Sequence, residues 1–226
     1  MNEYKTTVIS CPQCEQKNRL TEQTSNGIYK CGRCGSLIEN PFYPYKEIKL
    51  NQGTSEWKQW RLGGFGASDI PALMGENPWK SIKTLLKEKD GYGGNYQNSA
   101  MHRGTMLEPE ARREYCKKVG FNVNPVCLQH KDYSWARASL DGITNNRKKV
   151  VEIKCGESAY KKAQHGEIPK YYHGQLQHIL FVTGLNVIDY WCYLSERDGV
   201  LLKMERDNVY ISNLIHEGEK YRKYLS

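Results

Sequence analysis

This 226-residue chain has no apolar run approaching the roughly eighteen residues that a membrane-spanning helix needs. Its first residues, Met1-Asn2-Glu3-Tyr4-Lys5, lack the apolar core of a secretory leader. Together these absences set aside a spanning helix and make an intracellular protein the expectation. No internal repeat and no low-complexity tract is evident. Acidic residues are outnumbered, 25 Asp and Glu against 33 Lys and Arg, for a net charge of +8. The surplus is spread along the chain and favours a polyanionic partner. Hydrophobic residues make up 38% and aromatics 11%, enough for a globular core. The length allows one good core and a small appendage.

Cysteine is unevenly distributed. Four of the eight fall in the first 34 residues, as Cys11-Pro-Gln-Cys14 and Cys31-Gly-Arg-Cys34, while Cys116, Cys127, Cys155 and Cys192 stand singly. Two Cys-x₂-Cys pairs at this separation match a four-thiolate Zn²⁺ site, in which each tight turn supplies two corners of a tetrahedron. Gly32 and Gly35 suit the backbone of such turns. The segment has too few apolar residues to fold alone, so the metal would supply folding energy and have a structural role. Lys17, Arg19, Lys30 and Arg33 form a modest basic set here. DNA contact, partner docking and capping of the main domain all remain open for this zinc ribbon. We place the ribbon at 1–45, a linker at 46–54, and the main domain at 55–226. Asn40-Pro-Phe-Tyr-Pro-Tyr45 cannot be a regular helix and is expected to be extended.

The richest stretch runs from Asp141 to Lys154. Lys149-Val-Val-Glu-Ile-Lys154-Cys155 has the composition of a strand, so Glu152 and Lys154 share one face and Val151 and Ile153 the other. Asn145-Asn146-Arg147 is suited to a hairpin turn returning to the strand-like residues 133–143, which brings Asp141 beside that pair. Hard carboxylate oxygens suit Mg²⁺ or Mn²⁺, and a neighbouring lysine can hold or deprotonate a water. That equipment fits phosphodiester cleavage.

Elsewhere, residues 56–61, 70–74, 77–89, 99–118, 171–182 and 209–224 are expected to be helical, and 186–194 and 199–204 strands. Ser68 or Asp69 would cap the second helix, and the Gly63–Gly66 loop before it is either a phosphate cradle or a plain flexible turn. Leu107, Ala111 and Tyr115 mark the inner face of the fourth helix, with Glu108 at its boundary. Gly91–Asn95 is expected to be a flexible loop. The order predicts an α/β (α+β) fold with a central mixed sheet flanked by helices.

Six blocks in this order resemble the lambda exonuclease (YqaJ) family of viral recombinases, within the PD-(D/E)xK nuclease superfamily. They are Trp57…Trp60-Arg61…Gly66-Ala67-Ser68-Asp69, Asn77-Pro78-Trp79, Gly104-x₃-Glu108-x₂-Ala111-Arg112, Ala138-Ser139-Leu140-Asp141-Gly142, Glu152-Ile153-Lys154, and Tyr172-x₂-Gln175-x-Gln177. The resemblance covers roughly residues 55 to 195 and implies a restriction-endonuclease-like core. It implies Mg²⁺ at Asp141, Glu152 and the Ile153 carbonyl, with Glu108 completing the site. It implies Lys154 on the attacking water, Gln175 in support, and Arg61 and Ser68 on the 5′-phosphate of a DNA end. It further implies 5′→3′ resection of linear duplex DNA, a single-strand annealing protein as partner, and a homo-oligomer such as a trimeric ring. The setting implied is bacterial host cytoplasm, for a phage or prophage protein. Leu140 replaces the superfamily's proline, and the ribbon lies outside the pattern. A same-fold endonuclease, or a non-catalytic zinc-ribbon DNA-binding protein, are the alternative readings.

Overall fold

The computed structural model describes residues 5–22, 29–38, 40–91 and 99–225, the first four residues of the last span by backbone alone. The loop expected at Gly91–Asn95 lies, from residue 92 onward, outside the described residues. Two small hairpins open the chain. β1 (Thr6–Ser10) pairs antiparallel with β2 (Lys17–Thr21), and β3 (Tyr29–Lys30) with β4 (Leu37–Ile38). Each Cys-x₂-Cys pair sits in or beside the turn of one hairpin. Leu20, Tyr29 and Ile38 bury a small core with Cys11 and Cys31, against which Phe42 packs.

The remaining strands form one six-stranded sheet in the order β10-β9-β8-β7-β6-β5. They are β5 (Tyr45–Ile48), β6 (Asn124–His130), β7 (Arg137–Ile143), β8 (Val150–Lys154), β9 (Val187–Cys192) and β10 (Val200–Glu205). Neighbours are antiparallel except β8 and β9, which run parallel. A parallel pair needs a long crossover, here made by α5 (Glu157–Gln164) and α6 (Lys170–Thr183). The sheet is thus mixed, as the order of elements led us to expect. Three elements differ from the sequence reading, the first being α5, whose residues 157–164 were given no assignment. Residues 45–48, placed at the ribbon's end and in the linker, form the edge strand β5 on β6. Strand β6 itself was missed, because Asn124 and Pro125 mask an apolar core of Val126, Cys127 and Leu128.

Helices cover both faces. On one, α6 buries every residue from Gly174 to Thr183. With α2 (Ile70–Leu73) and α7 (Asn208–Tyr221) it encloses the main core, including Leu140, Ile143, Val150, Leu176 and Leu180. On the other, α4 (Ser99–Val119) lays Ala111 and Tyr115 on Val151, Ile153 and Trp191. The alternation of β8 is therefore as read: Val150 enters one core, and Val151 and Ile153 the other. The remaining helices, α1 (Ser55–Leu62) and α3 (Ile82–Lys89), begin at side-chain caps from Thr54 and Ser81. No helix among the described residues is long and apolar enough to cross a membrane.

Candidate active site

Pro125 shapes the site without belonging to it. It has no N–H to give to β7, and the β6–β7 register slips beside it. Asn124 faces Ile143 and Val126 faces Leu140, so Asp141 and Gly142 together oppose the single residue Pro125. This is a β-bulge, which re-aims side chains. Leu140 and Ile143, three residues apart, consequently enter the same core. Gly142 is required there, because a Cβ would stand 2.5 Å from the Val123 side chain and 2.9 Å from Val151.

Past the bulge β7 and β8 part. They pair only at Gly142–Val151 and Ile143–Val150. The Asp141 carboxylate enters the fork and accepts the Ile153 N–H at 2.7 Å. On β8, Lys154 Nζ donates to Glu152 at 2.7 Å and to Gln175 Oε1 at 3.2 Å. The Gln175 amide donates to the same Glu152 oxygen at 2.6 Å. Glu152, Lys154 and Gln175 therefore form one closed hydrogen-bonded triangle between β8 and α6. The Tyr172 ring caps the lysine, 4.4 Å from Nζ. From α4, Arg112 bonds the Glu108 carboxylate and donates to the Asp141 carbonyl at 2.6 Å, tying that helix to the fork.

The electrostatics follow from this crowding. Burial, then the Glu152 and Glu108 charges, push the Asp141 carboxyl well above its ordinary range. Burial, with Glu152 nearby, also raises Glu108 despite Arg112. Burial alone would lower Lys154, but the Glu152 carboxylate more than offsets it and holds the ammonium above its ordinary value. Asp141 and Glu108, both pushed upward, together with Glu152 are a hard-oxygen donor set whose mutual repulsion a divalent cation would relieve. The donor types suit Mg²⁺ or Mn²⁺, but each carboxylate is turned to its own protein donor, and among the described residues only the ribbon cysteines already gather their ligand atoms.

A second cluster gathers the other expected residues. Arg61 Nη2 donates to Ser68 Oγ at 2.9 Å. Neither Ser68 nor Asp69 caps α2 with its side chain. Instead Asp69 accepts the Gly66 N–H at 2.9 Å and the Lys89 ammonium at 2.6 Å. Burial pushes Asp69 up, but Lys89 and Arg61 pull it further down, and it stays ionised. The glycine loop is not an open phosphate cradle. Phe65 N–H is taken by the Trp135 carbonyl and Gly66 N–H by Asp69. Gly64 is there for space: a Cβ would stand 2.5 Å from Arg137 and 2.8 Å from the Trp135 carbonyl. Arg61 lies over the Trp57 ring and Arg137 over the Trp60 ring. Arg61, Lys89 and Arg137 thus share a pocket with Asp69 as acid, leaving positive charge beside Ser68.

Sequence reasoning missed Lys89, Arg112, Arg137 and Tyr172 as site residues. Arg112 and Tyr172 stood in the blocks of the resemblance without a role, and Arg137 was marked as a lone cation between the alanines of an apolar strand.

In the ribbon the four cysteines are reduced, and their ligand atoms all lie within 4.8 Å of one another. Cys11–Cys34 and Cys14–Cys31 sulfurs are 3.6 Å apart, near the roughly 3.8 Å edge of a tetrahedron with Zn–S bonds of about 2.3 Å. Gln13 and Arg33 N–H groups reach Cys11 and Cys31 sulfurs at 3.4 Å, so the two turns repeat one geometry. The positive φ that each turn needs falls on Glu15 and Gly35, not on Gly32. Backbone N–H groups, that of Cys34 foremost, lower the Cys31 thiol to about 6.

A mixed sheet carrying an acid at a strand bulge and Glu-x-Lys on the next strand defines a restriction-endonuclease-like core. The particular family is defined by a model of the YqaJ-like viral recombinase domain, which matches residues 56–186. The chain belongs to that family. It is 33% identical over 135 residues to the uncharacterized protein YqaJ of Bacillus subtilis strain 168, covering 57% of this chain and 42% of that protein. It is 27% identical over 167 residues to the uncharacterized protein R354 of Acanthamoeba polyphaga mimivirus, covering 66% and 30%. The chain thus spans less than half the length of these relatives. Among solved structures it is similar to the alkaline exonuclease LHK-Exo of Laribacter hongkongensis. There the TM-score is 0.67 and the identity 27%, over 76% of this chain and 92% of that one. LHK-Exo has also been solved in complex with dAMP, at 26% identity and the same TM-score of 0.67 over the same 76% and 92%. A phage-related exonuclease of Haemophilus somnus 129PT shares the fold, with a TM-score of 0.55 and 14% identity over 72% and 93%.

Proposed function

We propose that this protein is a metal-dependent exonuclease that resects linear double-stranded DNA from its 5′ ends. The product is a 3′ single strand for recombination by annealing. The observation that carries the reading is the Asp141, Glu152, Lys154 and Gln175 constellation at the β7–β8 fork, in a chain 27% identical to an alkaline exonuclease of the same fold. Asp141, Glu152 and the Ile153 carbonyl would hold one or two Mg²⁺ or Mn²⁺ ions, with Glu108 completing the set when it leaves Arg112. Such an ion supplies Lewis-acid stabilisation of charge on the scissile phosphate and lowers the pKa of a bound water.

The protein groups have separable tasks. Lys154, held charged by Glu152, orients the attacking water by donating to it rather than by removing its proton. Gln175 fixes the carboxylate that Lys154 leans on. Tyr172 covers the ammonium and limits its approach by solvent. Arg61 and Ser68 bind the 5′-phosphate, with Lys89 and Arg137 adding charge. A terminal phosphate held there would couple end recognition to cleavage at the fork. The four cysteines hold a structural Zn²⁺. The partners that fit are duplex DNA ends, a single-strand annealing protein and further copies of this chain, in a bacterial cytoplasm.

The test uses linear duplex DNA with 5′-phosphate or 5′-hydroxyl ends beside a closed circle, with and without Mg²⁺. We expect Mg²⁺-dependent loss of the linear forms only, faster for the 5′-phosphate, with Arg61→Ala erasing that preference. Cutting of the circle would move the reading to an endonuclease, and inertness on all three to a DNA-binding protein.

A further inference from the structure

The nuclease reading leaves the ribbon without a task beyond its own folding. Its β2 strand and second cysteine turn wall an open groove of about 660 Å³. Gln16, Lys17, Asn18, Arg19, Lys30 and Arg33 line it. Asn18 locks the two walls together. Its Oδ1 accepts the Gly32 N–H at 3.0 Å, and its Nδ2 donates to the Gln16 carbonyl at 2.7 Å and lies 3.7 Å from Cys31 Sγ. Lys17 and Arg19, two apart on a strand, share one side of it, and both are exposed. Lys30 and Arg33 are exposed on the facing wall. Among the described residues none of these four cations makes an ion pair, and no carboxylate lines the groove.

Isolated surface lysines are common and need no ligand. Four unpaired cations around one rigid concavity, with no acid in its wall, are the electrostatic complement of a phosphate backbone. The groove offers no exposed aromatic or large apolar anchor of the kind that dominates protein–protein affinity, since Leu20 is buried. The ribbon is also held to the nuclease domain. Phe42 packs into the ribbon core, and Tyr45, three residues on, into the main core, with Tyr43 stacked on it at 5.1 Å.

We infer that this groove is a second DNA site, which grips the backbone of the duplex without regard to sequence and apart from the scissile end. The inference rests on the nuclease reading only for the choice of polyanion. Held beside the catalytic domain, the groove would raise the local concentration of duplex at the fork.

The test uses the full chain without added divalent cation and a duplex of about 30 base pairs whose two ends are closed by hairpin loops, so that no free end is offered. Affinity is read by fluorescence anisotropy across a salt series. The variant carrying Lys17→Ala, Arg19→Ala, Lys30→Ala and Arg33→Ala is expected to lose at least about tenfold in affinity at low salt. Its slope of log K against log [salt] should be shallower by roughly 3 to 4, about 0.9 for each phosphate no longer neutralised. The charge-keeping variant, Lys17→Arg, Arg19→Lys, Lys30→Arg and Arg33→Lys, is expected to stay within about twofold. Thermal melts of both variants confirm folding. An unchanged slope in the alanine variant, an equal loss in the charge-keeping one, or no binding of the closed duplex by the parent would overturn the proposal. Loss of the ribbon's metal with duplex binding intact would also overturn it, marking the cations as counter-charges to the thiolates. No cleavage enters this measurement, so it can fail while linear DNA is degraded, and the reverse.

Discussion

The ribbon and the β7–β8 fork both crowd metal-ligating groups, but they satisfy them in opposite ways. In the ribbon four thiols face one another, with sulfurs 3.6 Å apart in two pairs, and among the described residues no buried ammonium or guanidinium stands beside them. In the fork every carboxylate has a protein donor: Ile153 N–H for Asp141, Lys154 and Gln175 for Glu152, Arg112 for Glu108. A cluster whose sulfurs meet only neutral donors, with no cation to balance four thiolates, needs its metal in order to fold. A cluster in which each carboxylate has its own donor can be assembled first and receive the metal as a reagent. This is the difference expected between a structural metal site and a catalytic one, the roles proposed for the ribbon and the fork.

The comparison can be pressed hardest at the fork. Asp141→Ala and Lys154→Ala should each reduce hydrolysis of linear duplex by about 10³-fold or more, while DNA binding persists. The melting temperature of Asp141→Ala should stay close to that of the parent, whereas Lys154→Ala, which leaves the buried Glu152 carboxylate without its cation, should melt lower while remaining folded. Near-parental turnover in either would remove that residue from the chemistry.

The next largest effect lies in the cluster of Arg61, Ser68, Asp69 and Lys89. Lys89 and Asp69 are both buried, and Lys89→Met would leave the Asp69 charge without its closest partner. Denaturant unfolding should show a loss of about 3–5 kcal/mol, and Asp69→Asn added to it should restore part of that. No recovery in the double variant would mean that packing, not charge, explains the loss.

A pH series sharpens the picture of the core between these sites. His178 is buried, with Nε2 donating to the Arg137 carbonyl at 3.0 Å, and burial lowers its pKa from 6.5 to about 4. Below about 6.5 the unfolded chain takes up a proton that the folded chain refuses. This contribution is therefore fully present above that pH and falls by about 3 kcal/mol as the pH drops toward 4. His178→Phe should flatten that part of the stability–pH curve; an unaltered slope would assign the dependence to carboxylates instead.

The smallest effect on the main domain is expected from the ribbon. Cys11→Ser should abolish metal retention and the ribbon's fold while shifting the main unfolding transition little. A large shared shift would show that the β5 junction couples the two more tightly than their separate cores imply.

How much of this was legible in the chain depends on locality. The cysteines announced themselves because each pair lies within one turn. Glu152 and Lys154 were placed by strand periodicity, and Asp141 by a hairpin whose turn residues were plain. Gln175 had only a family resemblance to mark it, since a glutamine in a buried helix has no pattern of its own. Its neighbour Gln177 looks the same but serves the fold, bonding the Glu205 carbonyl and the Asp207 N–H. Lys89 and Arg112 sit in helices where a charge ordinarily faces water, so their inward roles could not be read from spacing. The bulge that aims Asp141 arises from Pro125 on another strand, a cause visible only when the two are side by side. The same holds for β5, whose partner lies some eighty residues downstream.

The measurement that bears most directly on the account follows one linear duplex carrying distinguishable labels at its 5′-phosphoryl ends and its 3′ ends, in Mg²⁺. The account predicts early release of the 5′ label as a mononucleotide, with the 3′ label retained on a lengthening single strand. Equal release from both ends, or internal cuts that leave both labels on long fragments, would contradict it.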